Sequence, residues 1–152
     1  MPAVDVSLRM RAVRRRGTEA EQQLGLALRN HCLRFRTHVP LIGCSPDIVF
    51  GQERLVVFVD GDFWHGRIML EGGLAELKAS FRRPSRAFWV RKIMRNVDRD
   101  LRQVRLLRRH GWAVVRLWEK DVLKNPSAAA AIVCQRIRKR RSRSLKQRRD
   151  AA

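Results

Sequence analysis

The pattern of apolar and polar positions predicts a helix and a strand in the first third of the chain. Thr18 precedes a leucine-rich stretch and Glu21 follows three residues later, which is the spacing of a capping box at a helix N-terminus. The apolar positions continue at helical spacing to about His31. Residues 33–38 then alternate between apolar and polar side chains, a period of two that indicates a half-buried strand.

Two apolar runs in the middle of the chain predict a β-hairpin. The runs are residues 47–50 and 55–59, and Gly51 opens the polar turn between them. The second run is continuously apolar, as expected for a strand at the centre of a covered sheet. Pairing of the two runs would bring Asp47 towards residues 58–60 at one edge of the sheet.

The second half of the chain predicts a long helix, a strand and a final helix. Residues 66–86 contain two adjacent glycines and a proline, and they predict a long, partly helical connection. Apolar side chains recur every three or four residues from Ala87 to the glycine at position 111, residues 112–118 are typical of a strand, and residues 126–138 favour a helix. This order predicts an α/β protein, a three-layer α/β/α sandwich with a mixed central sheet.

Charge indicates that this domain binds a polyanion. The 152 residues include 34 Lys and Arg but only 14 Asp and Glu, giving a formal net charge of +20. Nucleic acid is the leading candidate, ahead of an anionic membrane surface or a ribosomal role. We expect a basic, DNA-contacting arm at residues 1–16, a catalytic domain at 17–138 and a basic tail at 139–152. That tail is expected to be disordered without a polyanion, either as a solvated extension or as a non-specific DNA contact.

The cysteines and the N-terminus exclude several classes of protein. Cys32, Cys44 and Cys134 are widely spaced and form no C-x-x-C pair, which argues against a disulfide framework and against a cysteine-rich zinc site. The N-terminus lacks the apolar core of a signal peptide, and no apolar run is long enough to span a bilayer. We therefore expect a soluble, cytoplasmic protein without a membrane partner.

A small group of acids carries the candidate chemistry. The hairpin would gather Asp47, Asp60 and Asp62 at one sheet edge, where a hard divalent cation such as Mg²⁺ could orient a phosphodiester and activate a water. The alternative is structural, because Asp-Gly at a strand end is most often a plain turn and Asp47 also suits a cap. The two aromatic residues and His65 that follow are poor turn chemistry, and His65 could transfer a proton or hold a water.

Several segments resemble the very-short-patch repair (Vsr) endonucleases, relatives of the PD-(D/E)xK nucleases that nick DNA beside a T:G mismatch. The resemblance covers about residues 7–123. It implies a restriction-endonuclease-like fold, Mg²⁺ or Mn²⁺ as cofactor, double-stranded DNA as partner and a monomer, since a nick needs only one active site. The matching segments are residues 10–13, 18–21, 46–50, 57–66, 88–100 and 111–119.

The resemblance also implies roles for individual residues. Asp47 would be the principal carboxylate ligand of the metal, and the backbone carbonyl of Val59 would be a further ligand. Glu21, His65 and Asp100 would complete the catalytic site through metal-bound waters or proton transfer. Without the resemblance, Glu21 would be only a helix cap, and Asp100 would be as well explained as an exposed partner of a neighbouring arginine.

Two aromatic residues and a methionine match the wedge that the family inserts beside the mismatch. These are Phe63, Trp64 and Met10. Apolar wedges unstack and kink a duplex, and a mismatched step unstacks most easily. The alternative for the two aromatics is ordinary packing in the core. Further candidate DNA contacts are Arg11, Arg14, Lys92 and Asn96.

This chain departs from the best-known members at two places. The best-known members carry a histidine at the position of Asp60. We expect Asp60 to act in catalysis by binding the metal or a water. Those members also hold a structural zinc, but the matching positions here offer no thiolate or imidazole, so we expect no zinc and a segment 66–86 held by packing. Those matching positions are Asp62, Arg67, Met69 and Lys120.

Three functions are compatible with these features. The first is nicking of DNA at or near T:G mismatches in DNA repair, near the nucleoid. The second is sequence-specific cleavage by a restriction, homing or defence endonuclease on the same fold. The third is DNA binding without catalysis, against which the joint presence of Glu21, Asp47, His65 and Asp100 argues.

Overall fold

Five helices and four strands make up the described part of the computed structural model, which comprises residues 17–63, 65–81 and 83–151. The predicted arm at residues 1–16 lies outside this part. The elements are α1 (Glu19–Asn30), β1 (Arg36–Thr37), β2 (Ile48–Phe50), β3 (Leu55–Asp60), α2 (Arg67–Ala79), α3 (Arg83–Arg109), β4 (Ala113–Trp118), α4 (Glu119–Lys124) and α5 (Pro126–Asp150).

The four described strands form one mixed sheet in the order β1-β2-β3-β4. The predicted hairpin is confirmed, since β2 and β3 pair antiparallel with Ile48 opposite Val57. β3 and β4 pair parallel, so that Asp60 lies beside Trp118. The start of β2 and the ends of β3 and β4 therefore meet at one edge of the sheet.

Helices cover both faces of the sheet, which confirms the three-layer α/β/α architecture. Side chains alternate along β3, so Leu55 and Val57 pack with residues of α1, α4 and α5 on one face. Val56 and Phe58 pack on the other face with Leu107 of α3. Leu55, Val56 and Val57 are each completely buried, as the continuous apolar run predicts.

The segment 66–86 folds back onto α3. Gly66 has φ 70° and caps α2, and a Cβ at this position would lie 2.8 Å from Val97 and 2.9 Å from Ile93. Only glycine allows so close an approach in this backbone conformation. Gly73, with φ 84° and ψ 177°, divides α2 into two pieces. The predicted partly helical connection is confirmed, and Gly66 holds the preceding loop close to α3.

The C-terminal helix is longer than the sequence predicts. α5 continues to Asp150 instead of ending near Arg138, and the disorder that we expect of residues 139–152 in the absence of a polyanion stays a prediction. Arginine and lysine are good helix formers. Contacts with the domain body also hold the helix, because Arg140 donates to the backbone carbonyl of Glu53 at 2.9 Å and Arg141 pairs with the Glu53 carboxylate at 2.7 Å.

None of the helices in the described ranges combines the length and the apolar character that a membrane crossing needs.

Candidate active site

Asp47 lies at the sheet edge directly before β2, and backbone groups of β3 fix its position. Its backbone N–H donates to the carbonyl of Val57 at 3.1 Å, directly before the first residue of β2. Its Oδ2 atom accepts the backbone N–H of Val59 at 2.7 Å. The two residues that the resemblance assigns to the metal are therefore in direct contact.

Glu21 reaches the same edge from the first turn of α1. Its backbone N–H donates to the Thr18 hydroxyl at 3.3 Å, and its carboxylate accepts the Gly17 N–H at 2.9 Å and the Thr18 hydroxyl at 3.2 Å. The predicted capping interaction is confirmed. The same contacts hold the carboxylate in a fixed position, so capping and a place in the site are compatible.

His38 joins Glu21 and Asp47, although sequence reasoning did not identify it. Its Nε2 atom lies 3.1 Å from Glu21 Oε2, and its Nδ1 atom lies 3.9 Å from Asp47 Oδ1. One potential ligand atom from each of these three side chains lies within 4.8 Å of the others. We call this group the carboxylate–histidine cluster. Its donors, two carboxylates and an imidazole, are those of a divalent-metal site.

The electrostatics of Asp47 favour a cation in this cluster. Burial raises the pKa of Asp47 to about 6, the backbone N–H of Val59 opposes that rise, and the Glu21 and Asp60 carboxylates add to it. Its negative charge is therefore only partly compensated in the folded chain. A divalent cation would remove that imbalance.

A second group of side chains surrounds Arg116 at the same sheet edge. The Arg116 guanidinium donates from Nε and Nη2 to the two oxygens of Asp60, at 2.6 and 2.5 Å. His65 Nδ1 lies 2.5 Å from Asp100 and 3.4 Å from Asp60. Asp60 and Asp100 are both buried. We call these four residues the arginine-centred cluster, and sequence reasoning did not identify Arg116 as a member of the site.

Asp100 is buried and not the exposed ion-pair partner of the alternative interpretation, although it also contacts Arg99 at 3.2 Å. Burial alone would raise its pKa, but the hydrogen bond from His65 and the nearby Arg116 and Arg99 cations outweigh burial and lower the pKa. Asp100 is therefore ionised at neutral pH. An ionised Asp100 makes Nδ1 of His65 the donor, so Nε2 of a neutral ring carries the free lone pair.

Comparison of the sequence with known proteins shows the family of the chain. The family model described as DNA mismatch endonuclease Vsr matches residues 4–70. The Type II nicking enzyme V.NmeDIP of Neisseria meningitidis serogroup C is 38% identical over 141 residues, 93% of this chain and 91% of that protein. The chain belongs to the Vsr family. It is a DNA endonuclease, a hydrolase whose substrate is DNA.

Two further Vsr-type relatives match most of the chain. The DNA mismatch endonuclease Vsr of Escherichia coli strain K12 is 34% identical over 113 residues, 74% of this chain and 68% of that protein. The Type II nicking enzyme V.HpaIIP of Haemophilus parainfluenzae is 34% identical over 111 residues, 73% of this chain and 74% of that protein.

An ion-pair network occupies positions that the Vsr resemblance matched to zinc ligands. Arg67 Nη1 donates to Asp62 at 2.8 Å and to Asp121 of α4 at 3.0 Å, and Arg67 Nε donates to Glu71 at 2.8 Å. Asp62 also accepts the backbone N–H of Lys120 at 3.2 Å. The expectation that packing alone holds segment 66–86 is therefore incomplete, because salt bridges also tie its start to α4.

The structure describes only some of the predicted DNA contacts. Phe63 is half-buried and packs edge-on against Phe81 at 5.8 Å and Trp89 at 6.1 Å between ring centres. Lys92 lies over the Trp89 ring at 5.4 Å, and Asn96 is half-buried on α3. The predicted contacts outside the described residues are Met10, Arg11, Arg14 and Trp64.

Proposed function

We propose that this endonuclease nicks duplex DNA at or near T:G mismatches in DNA repair, with Mg²⁺ as cofactor and as a monomer. The observation that carries the proposal is the placement of the carboxylate–histidine cluster and the His65–Asp100 pair at one sheet edge. One chain supplies both groups, which suits a single cut. The names of the relatives, a mismatch endonuclease and two nicking enzymes, support the choice of reaction.

Asp47 and Glu21 would hold the metal, with the Val59 carbonyl as a further ligand and His38 beside them. A bound divalent ion would polarise the phosphodiester and lower the pKa of a water. Mg²⁺ suits the oxygen donors, whereas the His38 imidazole also suits Mn²⁺. Replacing His38 with alanine is expected to weaken Mn²⁺ binding by the free protein, measured by titration without DNA. Unchanged Mn²⁺ affinity would exclude His38 from the metal site.

The metal role predicted for Asp60 would compete with its contacts to Arg116, although Asp60, His65 and Asp100 also form a group that could hold a metal ion. Both Asp60 oxygens already accept hydrogen bonds from Arg116, and the guanidinium supplies the positive charge that a metal would provide. We propose instead that Asp60 positions Arg116 and His65. Its effect on catalysis would then pass through these two side chains.

His65 would act as the proton carrier of the reaction. With Nδ1 donating to ionised Asp100, its Nε2 lone pair can accept a proton from the attacking water. Asp100 and Asp60 would then stabilise the protonated ring, which lies within 3.4 Å of Asp60. This arrangement of a base and an orienting carboxylate is that of other hydrolytic dyads.

The DNA-contacting surface would combine the arm at residues 1–16 with the loop before α2. We propose that Met10 and Trp64 supply the wedge. Phe63 contacts Phe81 and Trp89, so insertion of Phe63 itself would forfeit that packing, and we assign it a supporting role beneath the loop. Lys92 and Asn96 of α3, with Arg11 and Arg14 of the arm, would contact the backbone.

A cleavage assay on labelled duplexes tests the proposal. The full chain with Mg²⁺ is expected to nick one strand of a duplex with a single T:G pair and to leave the matched duplex intact. Asp47→Ala should abolish nicking, whereas Asp98→Ala should preserve it, because Asp98 is an exposed acid of α3 that pairs with Arg102.

Two other outcomes would contradict the mismatch proposal. Cleavage of the matched duplex at a defined sequence would indicate the restriction, homing or defence type of endonuclease. A wild-type rate in Asp47→Ala would remove the carboxylate–histidine cluster from the reaction.

A further inference from the structure

A concave surface lined by arginines lies between α5 and the start of β4. It encloses about 320 Å³, and its lining contains no carboxylate. Its lining consists of Arg108, Arg136, Arg140 and Arg143, together with residues 111–114. We call this surface the arginine pocket. None of its residues belongs to either cluster of the candidate active site.

The positive charges of the pocket are not neutralised by the described part of the chain. Arg140 donates to the backbone carbonyls of Glu53 and Gly111, each at 2.9 Å, which fixes its guanidinium without cancelling its charge. The carboxylate of Glu53, the nearby acid, is engaged by Arg141 at 2.7 Å. Within the described ranges, no ion pair involves the other three arginines of the pocket. Four cations around one concavity repel each other, and a bound anion would relieve that repulsion.

The pocket lies at the other end of the sheet from the catalytic edge. In the parallel β3–β4 pair, Ala113 lies beside Leu55 and Trp118 lies beside Asp60. The five residue steps from Ala113 to Trp118 correspond to about 17 Å at roughly 3.3 Å per residue. A phosphate bound in the arginine pocket is therefore not the phosphate that is cleaved.

We propose that the arginine pocket binds backbone phosphates of duplex DNA outside the segment held at the catalytic edge. A positively charged concavity with several guanidinium donors suits phosphodiester oxygens, which arginine can bind through two hydrogen bonds. Contacts of this kind are independent of sequence and strengthen binding through the release of counterions. The pocket would hold the enzyme on long DNA. This proposal rests on the endonuclease activity of the family and does not depend on the mismatch preference.

Two triple variants that remove the same amount of charge test the pocket. Arg108→Gln/Arg136→Gln/Arg143→Gln removes three pocket charges, and Arg140 is kept because it also holds α5 in place. The control Arg138→Gln/Lys139→Gln/Lys146→Gln removes three exposed charges of α5 that do not line the pocket. Circular dichroism would establish that both variants are folded.

Equilibrium binding is measured without metal over a range of salt concentrations, on a long duplex and on a short one that covers only the catalytic edge. For the pocket variant on the long duplex, the negative slope of log affinity against log salt should become shallower by about 2 to 3. Each phosphate that the variant no longer neutralises reduces the magnitude of the slope by about 0.9. On the short duplex its slope and its nicking rate should match the wild type. The control variant should change the long-duplex slope less.

Three results would overturn the proposal. Equal slopes for the pocket and control variants would mean that only overall charge matters. An unchanged long-duplex slope in the pocket variant would mean that the pocket does not touch DNA. If inorganic phosphate raises the melting temperature of the wild type but not of the pocket variant while DNA binding is unchanged, the pocket holds a free anion instead.

Discussion

Asp47 combines a contact that fixes it with a charge that the metal-free fold tolerates poorly. Burial is the main reason that its pKa rises from 3.8 to about 6, with Glu21 and Asp60 adding to the effect. The folded chain therefore binds this proton more tightly than the unfolded chain does. The free energy of unfolding of the metal-free protein should therefore fall as the pH rises from 3.8 to about 6. Above about 6 the whole of this destabilisation is present.

Replacing Asp47 with asparagine should stabilise the metal-free protein and abolish nicking. Asparagine keeps an acceptor for the Val59 N–H and removes the charge. Above the raised pKa we expect a gain of about 3 kcal/mol in the free energy of unfolding, since the pKa rises from 3.8 to about 6 and one pKa unit corresponds to about 1.4 kcal/mol. Urea denaturation with a chelator present measures this gain, which should shrink as the pH falls towards 3.8.

Saturating Mg²⁺ should reverse that order, because the ion binds the folded wild type and not the variant. A wild type that is more stable than Asp47→Asn above the raised pKa, with the chelator present, would contradict this account of Asp47.

The pair of Asp60 and Arg116 gives a second prediction at the level of single residues. Arg116→Leu leaves two buried carboxylates without their cation and should cost about 3 to 5 kcal/mol of stability. Adding Asp60→Asn removes one of these charges, so the double variant should be more stable than Arg116→Leu alone. Chemical denaturation of the two single variants and the double variant forms the cycle that isolates the interaction.

Metal binding separates this positioning role of Asp60 from a ligand role. In the free protein, Asp60→Asn should leave the Mn²⁺ affinity near the wild-type value, whereas Asp47→Asn should weaken it strongly. A matching loss of affinity in both variants would return Asp60 to the metal site. Additive effects in the stability cycle would show that Asp60 and Arg116 do not act as a pair.

At the scale of helices and strands, the sequence predicts those parts of the site that neighbouring elements determine. Asp47 meets Val59 because two apolar runs joined by a short turn can pair in few ways. Glu21 is placed by its capping box, and Asp100 by the apolar stripe of α3. Local spacing is sufficient in each case.

Other members of the site depend on contacts that spacing does not reveal. His38 reaches Asp47 because the two-residue strand β1 pairs with β2 and because His38 itself adopts a positive φ of 52°. Arg116 is 56 residues away from Asp60 in the chain, and a lone arginine in an apolar strand resembles an outward-facing residue. Only the parallel pairing of β3 and β4 brings these two together.

The network of Arg67 predicts how the loop before α2 is held. Arg67→Met would remove the side chain that links Asp62 to Asp121 of α4, while the methionine keeps most of the apolar stem. His65 lies in this loop, so we expect a clear fall in the nicking rate at saturating DNA. The midpoint of urea denaturation should change little. The matched control is Arg102→Met, which breaks only the exposed pair with Asp98. A wild-type rate in Arg67→Met would show that the network does not position His65.

Charge is unevenly distributed over the molecule, with acidic residues gathered at the candidate active site of a strongly basic chain. The site gathers four of the 14 acidic residues, Glu21, Asp47, Asp60 and Asp100, within a chain of net charge +20. The basic surface attracts the DNA backbone. The acids at the sheet edge would bind the metal ion and orient His65 and Arg116. Such a division favours fast capture of DNA, but it leaves the free protein under strong self-repulsion.

Salt should therefore act in opposite directions on the stability of the protein and on its binding to DNA. Added NaCl screens repulsion among exposed charges, with a Debye length near 10 Å at about 0.1 M, whereas the buried contacts of Asp60 with Arg116 are screened much less. The melting temperature of the free protein should rise with NaCl while its affinity for DNA falls. The variant Arg138→Gln/Lys139→Gln/Lys146→Gln, with three fewer charges, should melt higher at low salt and respond less to added NaCl. A melting temperature that falls with salt would mean that attraction between ion pairs outweighs the repulsion that a net charge of +20 implies.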